Sequence, residues 1–216
     1  YSSRPGAEHI TEETELQRLI PVIKAIIKEF PRTILSVDTF RSGIAKASFH
    51  EGAGIINDIS AGSLDKDMFQ TISEIKIPYI LMHMRGTPQT MAQYTDYENI
   101  TADICHYFSE KIAQLKALGV NDLIIDPGFG FAKTLEQNYE LLSKLNALRI
   151  CGYPVLAAVS RKSMIYKLLN TDAEHALNGT SVLNTIALMN GANILRVHDV
   201  KEAKEVISIV GQLKIS

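Results

Sequence analysis

The sequence of 216 residues has no long apolar run, and none approaches the roughly 18 residues of a membrane span. It has no excess of either charge. Its 22 Lys and Arg stand against 24 Asp and Glu, a formal net charge of −2, so electrostatics gives no reason to expect nucleic acid or an anionic membrane as a partner. Cysteine is nearly absent. Cys105 and Cys151 sit in apolar or helical settings without metal spacing, which favours a reducing, cytoplasmic compartment. No His, Cys and carboxylate spacing suggests zinc, and no Gly-x-Ser-x-Gly elbow suggests a serine nucleophile. No linker or low-complexity tract divides the chain, so a single domain over residues 1–216 is expected. Neither a signal peptide nor an initiator Met is visible. The chain opens on Tyr1-Ser2-Ser3-Arg4-Pro5-Gly6, which reads as the middle of a loop, with the natural N-terminus upstream.

A phosphate loop is also missing, although Asp126–Thr134 (DPGFGFAKT) invites the idea. A P-loop needs glycine just before its lysine and another six residues before it. Here Ala132 precedes Lys133, and Gly128 lies five residues before it. The dinucleotide pattern Gly-x-Gly-x-x-Gly fails as well, because Lys133 takes the third glycine's place. Gly128 and Gly130 fit a tight turn, and Thr134 fits a helix cap.

What is present is an alternation of short apolar runs with amphipathic segments. Candidate strands are 34–38, 55–59, 79–84, 123–126, 155–160 and 194–198, nearly all apolar, as parallel strands covered on both faces should be. A helix is expected from Thr11 to about Phe30. Another fits Ile100–Leu118, where Ile104, Phe108, Ile112, Leu115 and Leu118 share one face. Thr134 to Gln137 and Asp199 to Glu202 resemble capping boxes, and Gly119 and Gly191 sit where helices should stop. An open doubly wound sheet and a (β/α)8 barrel both fit this α/β order. The barrel is favoured because Asp38, Asn57, His83, Asp126, Ser160, Arg196 and His198 all sit at strand C-termini, the rim from which barrel enzymes draw their sites. Six units after a lone helix leave two strands upstream.

Arg196 and His198 are two apart and share a face of their strand. Two donors there suit an anion such as phosphate; the alternative is an ion pair between Arg196 and a neighbouring strand-end aspartate. In Ser160-Arg161-Lys162-Ser163, cations stand at a helix N-terminus, against its dipole. That placement favours a functional lysine over a solvated helix start. His83 reads as a structural histidine rather than a catalytic one.

Seven segments together resemble dihydropteroate synthase, a pterin-binding barrel family of folate synthesis: SSRPG (2–6), SVDTFR (36–41), INDISAG (56–62), LMHMRGTPQTM (81–91), DPGFGFAKTLEQNYELL (126–142), SRKS (160–163) and RVHDV (196–200). The resemblance implies a (β/α)8 barrel. It implies the joining of p-aminobenzoate to 6-hydroxymethyl-7,8-dihydropterin diphosphate, with release of pyrophosphate. It implies that Asp38, Asn57, Met82, Asp126 and Lys162 line the pterin pocket. Arg196 and His198, with Arg4, would bind the diphosphate. Ser3, Arg4, Pro5, Phe131 and Ser163 would contact p-aminobenzoate. Catalysis would rest on Lys162, Asp38, Arg196 and His198. It further implies Mg2+, a homodimer and sensitivity of the family to sulfonamides. The family's metal-associated asparagine lies upstream of this chain, so no metal ligand is assigned here. Tyr1 and Ser3 stand where many members have an acid and a threonine.

The residue types suit the substrates. A carboxylate such as Asp126 can accept two parallel bonds from a pterin's aminopyrimidinone edge. Asn57 can donate and accept, and Lys162 can donate to a ring carbonyl or nitrogen. Two other readings remain at this point: a methyltetrahydrofolate–corrinoid methyltransferase, for which Arg196 and His198 would have no diphosphate, and a non-catalytic pterin-binding paralogue.

Overall fold

The computed structural model describes residues 10–213. Six strands alternate with helices: β1 Ser36–Asp38, β2 Ile55–Asp58, β3 Tyr79–Met82, β4 Leu123–Asp126, β5 Leu156–Ala157 and β6 Ile194–Leu195. The helices are α1 Glu12–Glu29, α2 Ser42–His50, α3 Met68–Ile75, α4 Ile100–Ala117, α5 Leu135–Ser143, α6 Ser163–Tyr166, α7 Leu177–Met189 and α8 Val200–Val210. Short 3-10 segments occupy Met91–Gln93 and Leu145–Cys151. No helix among the described residues is long and apolar enough to cross a membrane.

The strands run parallel and follow one another in chain order. β1 to β4 form one ladder, β5 pairs with β6, and the parallel bridge Ile125–Val155 joins the two groups. A doubly wound sheet reverses its strand order at a switch point. No reversal occurs here, and strand order equal to chain order is the order of a barrel. The arc is curled so that Arg196, just beyond β6, donates from Nη2 to Asp38 Oδ2 at the end of β1, 2.9 Å away.

Side chains alternate along each strand, and the two sets have different neighbours. Val37, Ile56, Tyr79, Leu81, Leu123, Ile125 and Ala157 join one large core with residues of the helices, such as Ile72, Phe108 and Leu141. Ile80, Leu156 and Ala158 form a second cluster with Ile55, Ile124 and Ile194, to which no helix contributes. That second set is the inside of the arc. By the same alternation Asp38, Asn57, Met82, Asp126 and Arg196 also face inward. His83 has the opposite parity and faces the helices.

Local sequence explains most helix ends. Thr11 caps α1 through Thr14 N–H, and Asn99 caps α4 through Ala102 N–H. Thr134 and Gln137 form the expected capping box of α5. Four expectations need correction. Leu118 is not on the buried face of α4; the helix stops at Ala117, and Leu118 is 41% exposed ahead of left-handed Gly119. Asp199 does not cap α8, because its carboxylate is held by Arg161. The first strand starts at Ser36, leaving Ile34 74% exposed. The last two strands are only two residues each. Beyond them the ladder gives way to side-chain bonding, and His198 N–H donates to Ser160 Oγ at 3.2 Å instead of to a strand carbonyl.

α1 is fastened beside the end of β1 by a buried carboxylate. Glu15, 2% exposed, accepts from Thr39 Oγ1 at 3.3 Å and pairs with Arg41, whose Nη2 also donates to Ile10 O at 2.7 Å. Removing one partner of a buried pair leaves the other charge uncompensated. Glu15→Ala should therefore lower stability by roughly 3 kcal/mol in urea denaturation. A loss within about 0.5 kcal/mol, the range of a plain surface substitution, would contradict that anchoring.

Candidate active site

The inward side chains meet at the strand C-termini around one cavity of about 790 Å³. Its lining includes Asp38, Asn57, Met82, Asp126, Lys162 and Arg196, together with Phe131, Ser163 and His198. Ladder register accounts for two neighbouring pairs, since Asp38 lies opposite Asn57 and Met82 opposite Asp126. Ser3, Arg4 and Pro5 lie outside the described residues. The lining also holds Ile59, Met91, Phe129, Arg161, Tyr166 and Ala173, which were not assigned from the sequence. Met91 lay inside a recognised segment; Tyr166 and Ala173 carried no signal, because only the folding of the 161–176 loop brings them to the rim.

On one side, Asn57 Nδ2 donates to Asp38 Oδ1 at 2.8 Å, and Arg196 Nη2 donates to Asp38 Oδ2. The sequence alternatives for Arg196 thus merge. It does pair with a strand-end aspartate, yet only Nη2 is engaged and the guanidinium still lines the cavity. Asn57 Oδ1 is buried and has no hydrogen-bond partner. An unpaired buried acceptor costs about 1–3 kcal/mol, which a ligand N–H would recover.

Asp126 is 4% exposed and accepts one hydrogen bond, from Gly128 N–H at 2.8 Å. Burial raises its pKa, opposed by the charge of Lys162 and by the Gly128 bond. Lys162 donates to Phe129 O and sits 4.9 Å from the centroid of the Phe131 ring. Burial pulls its pKa down to about 8, with Asp126 opposing and Arg196 assisting. Below them Met82, Ile59, Met84, Met91 and Ala132 form an apolar shelf against which Phe131 packs.

The turn after β4 is shaped by close approach. A Cβ on Gly128 would lie 2.1 Å from His83 O, and Gly128 has φ +71, so the turn reading of this glycine holds. The sequence assigned nothing to Lys133, whose neighbour Thr134 explained the Lys-Thr pair. Its stem is partly exposed but its ammonium is buried, donating to Phe131 O (2.9 Å), Gly128 O (3.0 Å) and His83 Nδ1 (3.1 Å). Those three bonds pin the turn that carries Asp126 and Phe131. Burial lowers the Lys133 pKa to about 7, with Asp126 opposing and Lys162 and Arg85 assisting. His83, edge-on to Tyr107, is driven down to about 2 by burial and by the charges of Lys133 and Arg85, so it stays neutral and structural.

The Ser160–Ser163 segment divides its work. Arg161 makes a bidentate pair with Asp199 (2.8 and 2.9 Å) and donates to the carbonyls of Ala173 and Glu174. Ser160 Oγ holds His198 at both its backbone N–H and its Nδ1, 3.0 Å away. His198 Nε2 makes no hydrogen bond among the described residues. The expectation of cations opposing a helix dipole needs revision, since α6 is a single turn with little dipole to oppose. Lys162 enters the cavity because Arg161, at φ +53, turns the chain there.

The pterin-binding enzyme family model matches residues 1–198. The chain belongs to this pterin-binding family. Escherichia coli K12 dihydropteroate synthase is 42% identical over 211 residues, covering 97% of this chain and 74% of that protein. The solved Yersinia pestis dihydropteroate synthase with a sulfonamide drug superposes with a TM-score of 0.93 at 39% identity, over 98% of this chain and 77% of that one. The Xanthomonas albilineans dihydropteroate synthase with 4-aminobenzoic acid gives 0.91 at 33% identity, over 100% and 77%. The fold is accordingly the TIM-barrel type of these pterin-binding enzymes.

Among the described residues no three His, Cys, Asp or Glu side chains gather to hold a metal ion.

The buried Lys133 should make stability depend on pH. Its folded pKa of about 7 lies below the roughly 10.4 of an unfolded lysine, so between these values the unfolded chain holds a proton that the folded one has released. Stability should rise with pH across that window, by up to about 1.4 kcal/mol per unit from this group, with Lys162 adding in the same sense above about pH 8. In Lys133→Met the rise from pH 7 to 9 in urea denaturation should be visibly shallower. Identical slopes would contradict the burial of this ammonium.

Proposed function

We propose that this chain condenses 6-hydroxymethyl-7,8-dihydropterin diphosphate with p-aminobenzoate, giving dihydropteroate and pyrophosphate. It does so in one pterin-binding barrel domain. The observation that carries the reading is the mixed lining of the strand-end cavity. A buried carboxylate, Asp126, an orphaned acceptor, Asn57 Oδ1, and an apolar shelf line it together with the Arg196 guanidinium and His198. These groups suit a flat heterocycle that carries N–H donors and an attached anion.

In this reading Asp126 accepts paired hydrogen bonds from the aminopyrimidinone edge, and Asn57 Oδ1 accepts another. Lys162 donates to a ring carbonyl or nitrogen, and Met82 lies against the ring face. Arg196 is oriented by Asp38 and offers its remaining N–H groups to the diphosphate, with His198 Nε2 beside it. The pair is half exposed and contributes little to stability, so its value is geometric. As the C–O bond to diphosphate breaks, Arg196 and His198 stabilise the charge gathering on the leaving group. Asp38 and Asp126 stabilise the pterin cation. The aniline nitrogen of p-aminobenzoate then attacks the exocyclic carbon and loses its proton. Phe131 and Ser163 hold that second substrate in line, with Ser3, Arg4 and Pro5 from the preceding loop. The same subsite would take a sulfonamide.

Three accompanying features belong to the proposal. Magnesium would arrive with the diphosphate, since Mg2+ commonly uses one or two carboxylates plus substrate phosphates. The apolar residues Val182, Ile186 and Met189 on α7 and Ile207 on α8 are exposed, and two copies would bury them in a homodimer. The setting would be the cytoplasm.

Pyrophosphate should be released only when the pterin diphosphate and p-aminobenzoate are both present. Transfer of a methyl group to a corrinoid without pyrophosphate release would overturn the reading. Arg196→Ala should weaken the diphosphate substrate about tenfold more than free pterin, on the order of one charged hydrogen bond. Lys162→Ala should weaken both. Equal losses for Arg196→Ala, measured by calorimetry, would refute its place at the anion end.

A further inference from the structure

The turn between β4 and α5, residues 127–133, is held by side chains rather than by a ladder. Among the described residues one backbone bond closes it, from Phe131 N–H to Gly128 O at 3.0 Å. Tyr97 Oη donates to Ala132 O at 2.9 Å, Lys162 Nζ donates to Phe129 O, and Gly130 N–H donates to Asn138 Oδ1 at 2.7 Å. Lys133 Nζ takes two carbonyls at once, Gly128 O and Phe131 O, and also reaches His83 Nδ1 just past β3. Three tetrahedral N–H groups thus meet three acceptors, a geometry that a planar guanidinium fork lacks. With the ammonium donating, His83 accepts at Nδ1 and carries its proton on Nε2.

Three groups of the proposed chemistry rest on this turn. Asp126 Oδ1 accepts from the N–H of Gly128, the residue whose carbonyl Lys133 holds. Phe131 is held by Lys133 at its own carbonyl. Lys162 lies on Phe129 O and 4.9 Å from the centroid of the Phe131 ring. Lys133 itself does not line the cavity. We propose that Lys133 is a positioning residue of the condensation: touching neither substrate, its ammonium sets the Asp126 carboxylate, the Phe131 ring and the carbonyl on which Lys162 rests. This rests on the condensation proposed above. Without Nζ, Gly128 O and Phe131 O lose their side-chain donor and no ladder restores the turn, so the pterin end and the p-aminobenzoate end are disturbed together. The anion end, built on Asp38, Arg196 and Ser160, keeps its bonds.

The test is calorimetry of the full chain with 6-hydroxymethylpterin and with its dihydropterin diphosphate, beside steady-state pyrophosphate release. In Lys133→Met both pterin ligands should weaken by the same factor, about tenfold, with binding stoichiometry kept. The KM for p-aminobenzoate should rise, and kcat/KM should fall on the order of a hundredfold, the cost of a misplaced site. Lys133→Gln, which keeps two N–H donors, should change in the same direction by less, and it is read alone if Lys133→Met does not fold. Unchanged affinities with fewer competent molecules would show a merely structural lysine and overturn the proposal. Weakening confined to the diphosphate ligand would overturn it as well. If the wild-type chain releases no pyrophosphate, the condensation falls, while the pterin affinities still decide whether Lys133 sets the Asp126 end.

Discussion

The site depends on the two-residue alternation of side chains along parallel strands. One helix-covered core fixes Val37, Ile56, Leu81 and Ile125 on the outside. Their neighbours Asp38, Asn57, Met82 and Asp126 then have no choice but the inside. A slip of one residue in any ladder would bury an acid under a helix and point an isoleucine at the substrate. The register pairs Asp38 with Asn57 and Met82 with Asp126, so each polar group arrives beside its working partner. The helix-facing aspartate of β2 shows what the outer face demands. Asp58 is fully buried and is tolerated only because Ser60, Gly62 and Tyr79 satisfy both its oxygens.

Electrostatics inside the arc is organised around Asp126. Burial raises its pKa, while the same burial depresses Lys162 and Lys133 on either side of it. Each group alone would be expensive, and together they moderate one another's desolvation. The two lysines nevertheless differ in purpose. Lys133 spends its donors on the turn itself, whereas Lys162 reaches the cavity wall. Asp38 is a second organising carboxylate, holding Asn57 by one oxygen and Arg196 by the other across the arc.

Much of this was legible in the sequence where the signal was local. All six strands and the long α1 and α4 helices follow from apolar periodicity, with helix starts such as Thr11 and Thr134. The inward-facing candidates could be picked out because polar residues interrupted apolar runs at strand ends. Lys133 was missed because its meaning lies in three acceptors, one of them 50 residues away on His83. Asp199 was misread for a similar reason. Its spacing to Glu202 matches a capping box, but the guanidinium of Arg161, 38 residues earlier, competes for the same oxygens with a bidentate geometry and wins.

By itself the sequence determined the α/β alternation, the identity of the strand-end residues and the exclusion of nucleotide-loop chemistry from DPGFGFAKT. These depend on periodicity and spacing within a dozen residues. Only the tertiary structure decided that strand order equals chain order, that Arg196 closes on Asp38, and that Asn57 is left with an unpaired oxygen. Those outcomes depend on how far the arc curls and which distant groups it brings within bonding reach, and no local pattern encodes a distance across a barrel.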